Sequence, residues 1–217
     1  MSTVALDREQ VIKAAIELMN EAGLDGLSLR RLATRLGVQA PALYWHFKNK
    51  QELLDQMAET ILARSFAAEP PERPEEWDEW VAARARELRE SLNRYRDGAM
   101  LAASTRPRGV QLETIERYLR VLCTVGLSPA ESMWAMIAVS NYVSGFALDE
   151  QADRLRGDDE SGPQDRDSLL RLLEEYPLMT ASVLEIGDPQ SSDNFERGLQ
   201  VVLDGIRVRV ARGASSG

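Results

Sequence analysis

Between Ser28 and Lys50 the chain reads SLRRLATRLGVQAPALYWHFKNK, and the residues able to do chemistry there are mostly donors: Arg30, Tyr44, His46, Lys48 and Lys50. Guanidinium, ammonium, phenol and imidazole groups gathered in one short stretch suit the acceptors of a nucleic acid rather than a bond-making reaction. The elements that must present them are written around them. Ser28 is an N-cap, Leu29, Leu32, Ala33 and Leu36 recur at helical spacing, and Gly37 supplies the left-handed residue that ends a helix. After Val38 and Gln39, a second helix over Ala40 to His46 opens with Pro41 near its first position, where a missing N–H costs nothing. It returns Leu43, with Tyr44 or Phe47, to the first helix and leaves Tyr44, His46, Lys48 and Lys50 facing a phosphate backbone. The pattern predicts a helix-turn-helix that enters duplex DNA, although helix, glycine and helix also recur in all-α proteins that bind none.

Charge is distributed to match. The net charge of the 217 residues is −9, yet residues 1–50 carry +2 and the remainder −11, so a polyanion is directed to the N-terminal head alone. With 44% hydrophobic residues the chain can bury a full core, and no apolar run approaches the roughly 18 residues of a membrane span. Met1 to Asp7 lacks the order of a signal peptide, so the expected location is the cytoplasm, without a membrane partner. A single cysteine, Cys123, allows no intrachain disulfide and no cysteine-built zinc site. A glycine-rich phosphate loop, a serine elbow and a paired-histidine motif are all missing, and Cys123 has no histidine in its half of the chain. The sequence therefore predicts no enzyme and no cofactor.

The remaining elements read as helices throughout, which predicts an all-α fold: a three-helix head over residues 1–50 and a helical body over 51–217. Asp7 with Gln10 makes a capping box for a helix that stops before Gly23, and Asn49 with Glu52 caps a connector helix over about 50–66. Prolines 70, 71 and 74 break the chain before a helix of about Glu75 to Tyr95, and a further one spans about Gln111 to Val125. Ser128, Pro129 and Glu131 cap a long helix to about Arg154. Gly157 to Asp167 reads as a mobile acidic loop, with a short helix near Ser168 to Glu175 after it. The last helix, about Asp193 to Arg212, is apolar on two sides. Phe195, Leu199, Val202 and Ile206 suit its own core, whereas Gly198, Val201, Gly205 and Val208 invite a partner helix. A homodimer through helices 129–154 and 193–212 would supply the two heads that a palindromic operator requires.

The segments LDREQVIKAAIELMNEAGLDGLSLRRLATRLGV, ALYWHFKNKQELLD, YRDGAMLAASTRP and SGFALDEQ, in this order and spacing, resemble the tetracycline-repressor (TetR) family, and within it the tetracycline-resistance subgroup. The likeness runs from about residue 5 to 151 and implies an all-α homodimer that leaves double-stranded operator DNA when a small-molecule effector binds. It puts Arg30 at the guanine-reading position, where a guanidinium matches the O6 and N7 acceptors. It puts Gln39, Ala40, Pro41, Ala42 and Tyr44 on the recognition helix beside Trp45, and Ser28, Tyr44, His46 and Lys50 on phosphates. Where tetracycline repressors carry glutamine and threonine on that helix, Ala40 and Ala42 stand here, so a different operator is expected.

The ligand site departs further. Tetracycline repressors hold a magnesium chelate with two histidines, an asparagine, a phenylalanine, a threonine and a glutamate, and the matching positions here are Phe66, Ala102, Arg84, Leu88, Thr105 and Asp149. Both histidines are replaced, and one carboxylate alone holds a hard cation weakly, so no metal is expected. Arg84 falls on the apolar stripe of Trp77, Trp80, Val81, Leu88, Leu92 and Tyr95, and there it needs a counter-charge. That charge is either Asp149 or another acidic side chain, or else the carboxylate or phenolate of a ligand. Ile115, Tyr118, Met133, Trp134, Ile137 and Asn141 would supply walls, with Pro107 at the chain break beside Thr105. The function expected is a ligand-responsive DNA-binding regulator released by a largely apolar or polycyclic molecule. The alternative is a constitutive DNA-binding protein whose body only dimerises.

Overall fold

Capping residues and apolar stripes divide the chain into successive helices, and a computed structural model describes residues 6–66, 69–106, 109–156 and 166–214. Among these no strand occurs. Helix α1 (Arg8–Ala22) begins at Asp7, whose carboxylate accepts the Gln10 N–H at 2.7 Å while the Gln10 side chain accepts from Asp7 N–H, the expected capping box. Ser28 Oγ accepts from Arg31 N–H at 3.2 Å to start α2 (Leu29–Leu36), and Gly37 ends it at φ 68° and ψ 26°, the left-handed region open to glycine. Helix α3 (Ala40–Leu43) is shorter than the expected Ala40 to His46. Phe47 N–H and His46 N–H both bond the Leu43 carbonyl, which tightens the chain into a turn over 44–46.

Asn49 Oδ1 caps α4 (Lys50–Phe66) by accepting Glu52 N–H at 2.9 Å. A 3-10 turn at Pro74–Glu76 leads into α5 (Trp77–Asn93), which starts two residues later than the sequence suggests because Pro74 opens a tighter coil, and ends two residues earlier. There follow α6 (Gly98–Ala103), α7 (Val110–Thr124), α8 (Pro129–Arg156), α9 (Arg166–Leu172), α10 (Pro177–Ile186) and α11 (Ser192–Ala214). Most of the acidic loop read at 157–167 lies outside the described residues, and its last two residues belong to α9. Helix α10 was not anticipated. Its residues PLMTASVLEI have no polar face to mark a period, and none of them is buried.

One continuous apolar core joins head and body. Val11, Met19, Leu27, Leu32, Leu43 and Phe47 close the head, Leu53 and Met57 of α4 complete it, and Val81, Leu92, Leu122, Val143, Phe195 and Leu199 fill the body. In the body α5 packs on α4 and α8, and α11 lies along α8 and α5. Polar ties cross between head and body. Asp97, at φ 59°, accepts Leu24 N–H at 2.7 Å, and Arg96 N–H donates to Asn20 Oδ1 at 2.9 Å, while Gln51 Nε2 at the start of α4 donates to the Ser104 carbonyl at 3.1 Å within the body.

On α11 the inner stripe is Phe195, Leu199, Leu203 and Ile206, with Val202 half-buried. The opposite stripe needs one correction. Val201 and Val208 are exposed and Gly205 has open space before it, but Gly198 faces inward, where a Cβ would collide with the Tyr142 phenol that donates to the Phe195 carbonyl.

Candidate functional site

The turn after α2 fixes the face that the head presents. Leu43 and Phe47 are drawn into the core at 1% and 2% exposure, which settles the choice between Tyr44 and Phe47 and turns Tyr44 (57%) and Trp45 (89%) outward. Arg30, Gln39, Pro41, Lys48 and Lys50 are exposed on the same head, with Ser28, Ala40, Ala42 and His46 half-buried among them. The other arginines of the head are spent internally. Arg35 pairs with Glu21 at 2.6 Å and Glu17 at 3.3 Å, Arg31 donates to the Gly26 carbonyl, and Arg8 pairs with Glu52 at 2.8 Å. The Lys48 N–H and Arg8 together hold the Glu52 carboxyl below its ordinary value. Among the described residues the side chains of Arg30, Lys48 and Lys50 make no ion pair, so three cations and a projecting aromatic pair stay available to a ligand outside the chain.

In the body a cavity of about 350 Å³ opens between α4, α5, α6, α7 and α8. Its walls are largely apolar, and its ionic side chains are Arg84, brought by the α5 stripe, and Arg117 of α7. Arg84 Nη2 donates to Glu87 Oε1 at 2.5 Å, so the acidic partner left open by the sequence is Glu87, one helical turn on, and not Asp149. The guanidinium carbon lies 5.9 Å from the Trp80 ring, and that ring meets Tyr118 at 5.3 Å between centroids. Burial pushes the Tyr118 phenol well above its ordinary value, which keeps it neutral and a donor.

Of the expected ligand residues, Arg84, Leu88, Ala102, Thr105, Ile115, Tyr118, Ile137 and Asn141 line this cavity. Three lie elsewhere. Helix α8 reaches the cavity only from Met136 to Ser144, so Met133 and Trp134 fall short of it, and Asp149 lies about 7 Å farther along the axis and is exposed. The Phe66 side chain and Pro107 lie outside the described residues. Leu62, Ser65, Trp80, Met136, Ser140 and Ser144 also form the lining and were not assigned to it from sequence. Met136, Ser140 and Ser144 recur every four residues on α8 beside Ile137 and Asn141, a spacing that would have found them.

Comparison with known proteins agrees with this arrangement at both ends of the chain. Residues 11–57 match the family described as "Bacterial regulatory proteins, tetR family" and residues 70–210 the "Tetracyclin repressor-like, C-terminal domain". The chain is 40% identical over 204 residues to the tetracycline repressor protein class A from transposon 1721 of Escherichia coli, covering 94% of this chain and 92% of that one. It is 33% identical over 224 residues to the HTH-type transcriptional repressor DrrR1 of Streptomyces coeruleorubidus, with 97% and 80% covered. A TetR variant from Acinetobacter baumannii AYE in complex with minocycline superposes with a TM-score of 0.74 at 37% identity, over 93% of this chain and 97% of that one. The chain belongs to the TetR family. It is a ligand-responsive DNA-binding transcriptional repressor and not an enzyme, and a body that merely dimerises is the less favoured alternative. Dimerisation is typical of the family, and among the described residues no single helix is long and apolar enough to cross a membrane.

Proposed function

We propose that two copies of this chain, joined through α8 and α11, hold a palindromic operator in the cytoplasm and leave it when a largely apolar, polycyclic effector enters the cavity between α4 and α8. Residues 1–50 act as the DNA-binding head and 51–217 as the effector and dimer domain, with α4 as the connector. The observation that carries this reading is the position of the cavity. It is lined by Leu62 and Ser65 of α4, the same helix that completes the core of the head. An effector that prefers one placement of α4 therefore shifts the spacing of the two heads, and a preference of about 100-fold, roughly 2.7 kcal/mol per site, clears most of the operator.

The groups assigned to DNA are Arg30 on a guanine, Gln39, Ala40, Pro41, Ala42, Tyr44 and Trp45 along the groove, and Ser28, Tyr44, His46 and Lys50 on phosphates. Support for the partner surface comes from Trp134, Val201 and Val208, large apolar side chains left exposed on α8 and α11. The effector binds without a metal, because Phe66 and Ala102 stand where tetracycline repressors carry histidine. The test is a fluorescence-anisotropy measurement on the palindromic site upstream of a neighbouring gene, with a panel of aromatic compounds and with magnesium and tetracycline together. Release by members of the panel, and none by magnesium-tetracycline, is expected. Release by micromolar magnesium-tetracycline would refute the metal-free site.

A further inference from the structure

The lining of the cavity holds two donors that the protein itself leaves unanswered. Arg84 Nε and the Tyr118 hydroxyl are both buried, and neither has a hydrogen-bond acceptor among the described residues. Tyr118 is 7% exposed. A buried donor without an acceptor carries an unrecovered desolvation cost, so two of them in one cavity lining, Arg84 from α5 and Tyr118 from α7, mark a place built for an acceptor from outside. Both neighbour the same indole: the Arg84 guanidinium carbon lies 5.9 Å from the Trp80 ring, and the Tyr118 ring meets it at 5.3 Å between centroids, tilted by 51°. Neighbouring hydroxyls are already committed, Ser65 to the Leu62 carbonyl at 2.7 Å and Thr105 to the Ala102 carbonyl at 3.0 Å. The indole N–H of Trp80 is likewise spent on the Glu69 carbonyl at 2.7 Å.

What the acceptor must be follows from charge. Glu87 already neutralises Arg84, and Arg117, the other cation of the lining, is itself engaged within the chain, so a carboxylate in the cavity would add a negative charge beside groups that already have partners, in an apolar setting. A carbonyl oxygen accepts from both donors and brings no charge. The rest of the lining, with Trp80, Leu88, Leu92, Ile115 and Met136, offers flat and aliphatic surface to a ring system, and about 350 Å³ falls within the range of small-molecule sites. We infer that this cavity selects an uncharged, metal-free aromatic carbonyl compound, with its carbonyl oxygen held by Arg84 Nε and the Tyr118 phenol. The inference rests on the reading of the cavity as the effector site and replaces the acidic ligand that a lone Arg84 suggests.

Calorimetric titration of the full chain with three probes of one shape tests it: fluorenone, the hydrocarbon fluorene, and a fluorenone carboxylate. Fluorenone is expected to bind about ten-fold more tightly than fluorene and more tightly than the carboxylate. Tyr118→Phe and Arg84→Met are each expected to erase most of the preference for fluorenone while fluorene binds as before, with thermal melting confirming that both variants fold. Equal binding of fluorene and fluorenone by the wild type would overturn the proposal and leave the effector site standing. Tighter binding of the carboxylate would overturn it in favour of an anion. Failure of all three probes to bind would overturn the proposal together with the effector-site reading.

Discussion

Arg30 and Lys50 are both exposed and, among the described residues, make no ion pair, but they differ in what each can recognise. A guanidinium at a guanine edge discriminates between bases, whereas an ammonium at a phosphate is indifferent to sequence. Arg30→Ala should cost about 1–3 kcal/mol in operator binding and relax the preference at one base pair, while Lys50→Ala should weaken all sequences alike and lower the salt slope by about one. Anisotropy titrations at several salt concentrations read both effects. Tyr118 offers a test that needs no ligand: Tyr118→Phe removes a buried hydroxyl without an acceptor, so the effector-free protein should gain about 1 kcal/mol, a rise in Tm of roughly 2–4 °C. A lower Tm would show that the hydroxyl is satisfied. At this scale the sequence was informative wherever one helix decides the outcome. It placed Arg84 on the apolar stripe of α5, and the same spacing held Glu87 three residues on. The unanswered Tyr118 hydroxyl was invisible there, because the packing of α7 on α8 and α4, which buries it, is a property of the assembled body.

Helices whose ends are set by side chains were legible nearly to the residue, as with Asp7, Ser28, Gly37, Asn49 and Ser128. Where tertiary forces decide, the reading failed. Helix α3 stops at Leu43 because Phe47 is pulled into the head, and α10 went unseen because a segment apolar on every side has no period to read. The packing of α11 on α5 is held partly by Arg86, which pairs with Glu196 at 2.8 Å and lowers the Glu196 carboxyl below its ordinary value. A depressed carboxyl contributes stability above the ordinary carboxylate range and loses it as pH falls through the lowered value. The Tm of the wild type should therefore exceed that of Glu196→Gln at neutral pH and converge with it on acidification. The difference should be no more than about 2 °C, since half-exposed pairs contribute under about 1 kcal/mol. A gap that widens toward acid pH in calorimetric scans would contradict this clamp.

Over the whole molecule, residues 1–50 carry +2 and the rest −11, a distribution that favours approach of DNA to the proposed head and disfavours adsorption elsewhere. Assembly through α8 and α11 is a proposal that their exposed apolar side chains, Trp134, Val201 and Val208, support. Gly205→Glu tests the proposed seam. A Cβ there meets nothing within 4 Å of its own chain, so the subunit should fold as before, while two carboxylates facing each other across an apolar interface should leave monomers that bind a full operator poorly. A stable dimer of this variant in sedimentation would remove α11 from the interface. The four tryptophans stand at four different stations of this machine: Trp45 projects from the recognition turn at 89% exposure, Trp80 lines the cavity, Trp134 stands exposed on α8 at 63%, and Trp77 is buried in the core at 6%. If the proposed operator face, effector cavity and α8 seam are right, each single-tryptophan version of the chain is an optical probe of one event, so that operator docking, effector entry, subunit association and unfolding can be followed separately by native fluorescence, in their order in time.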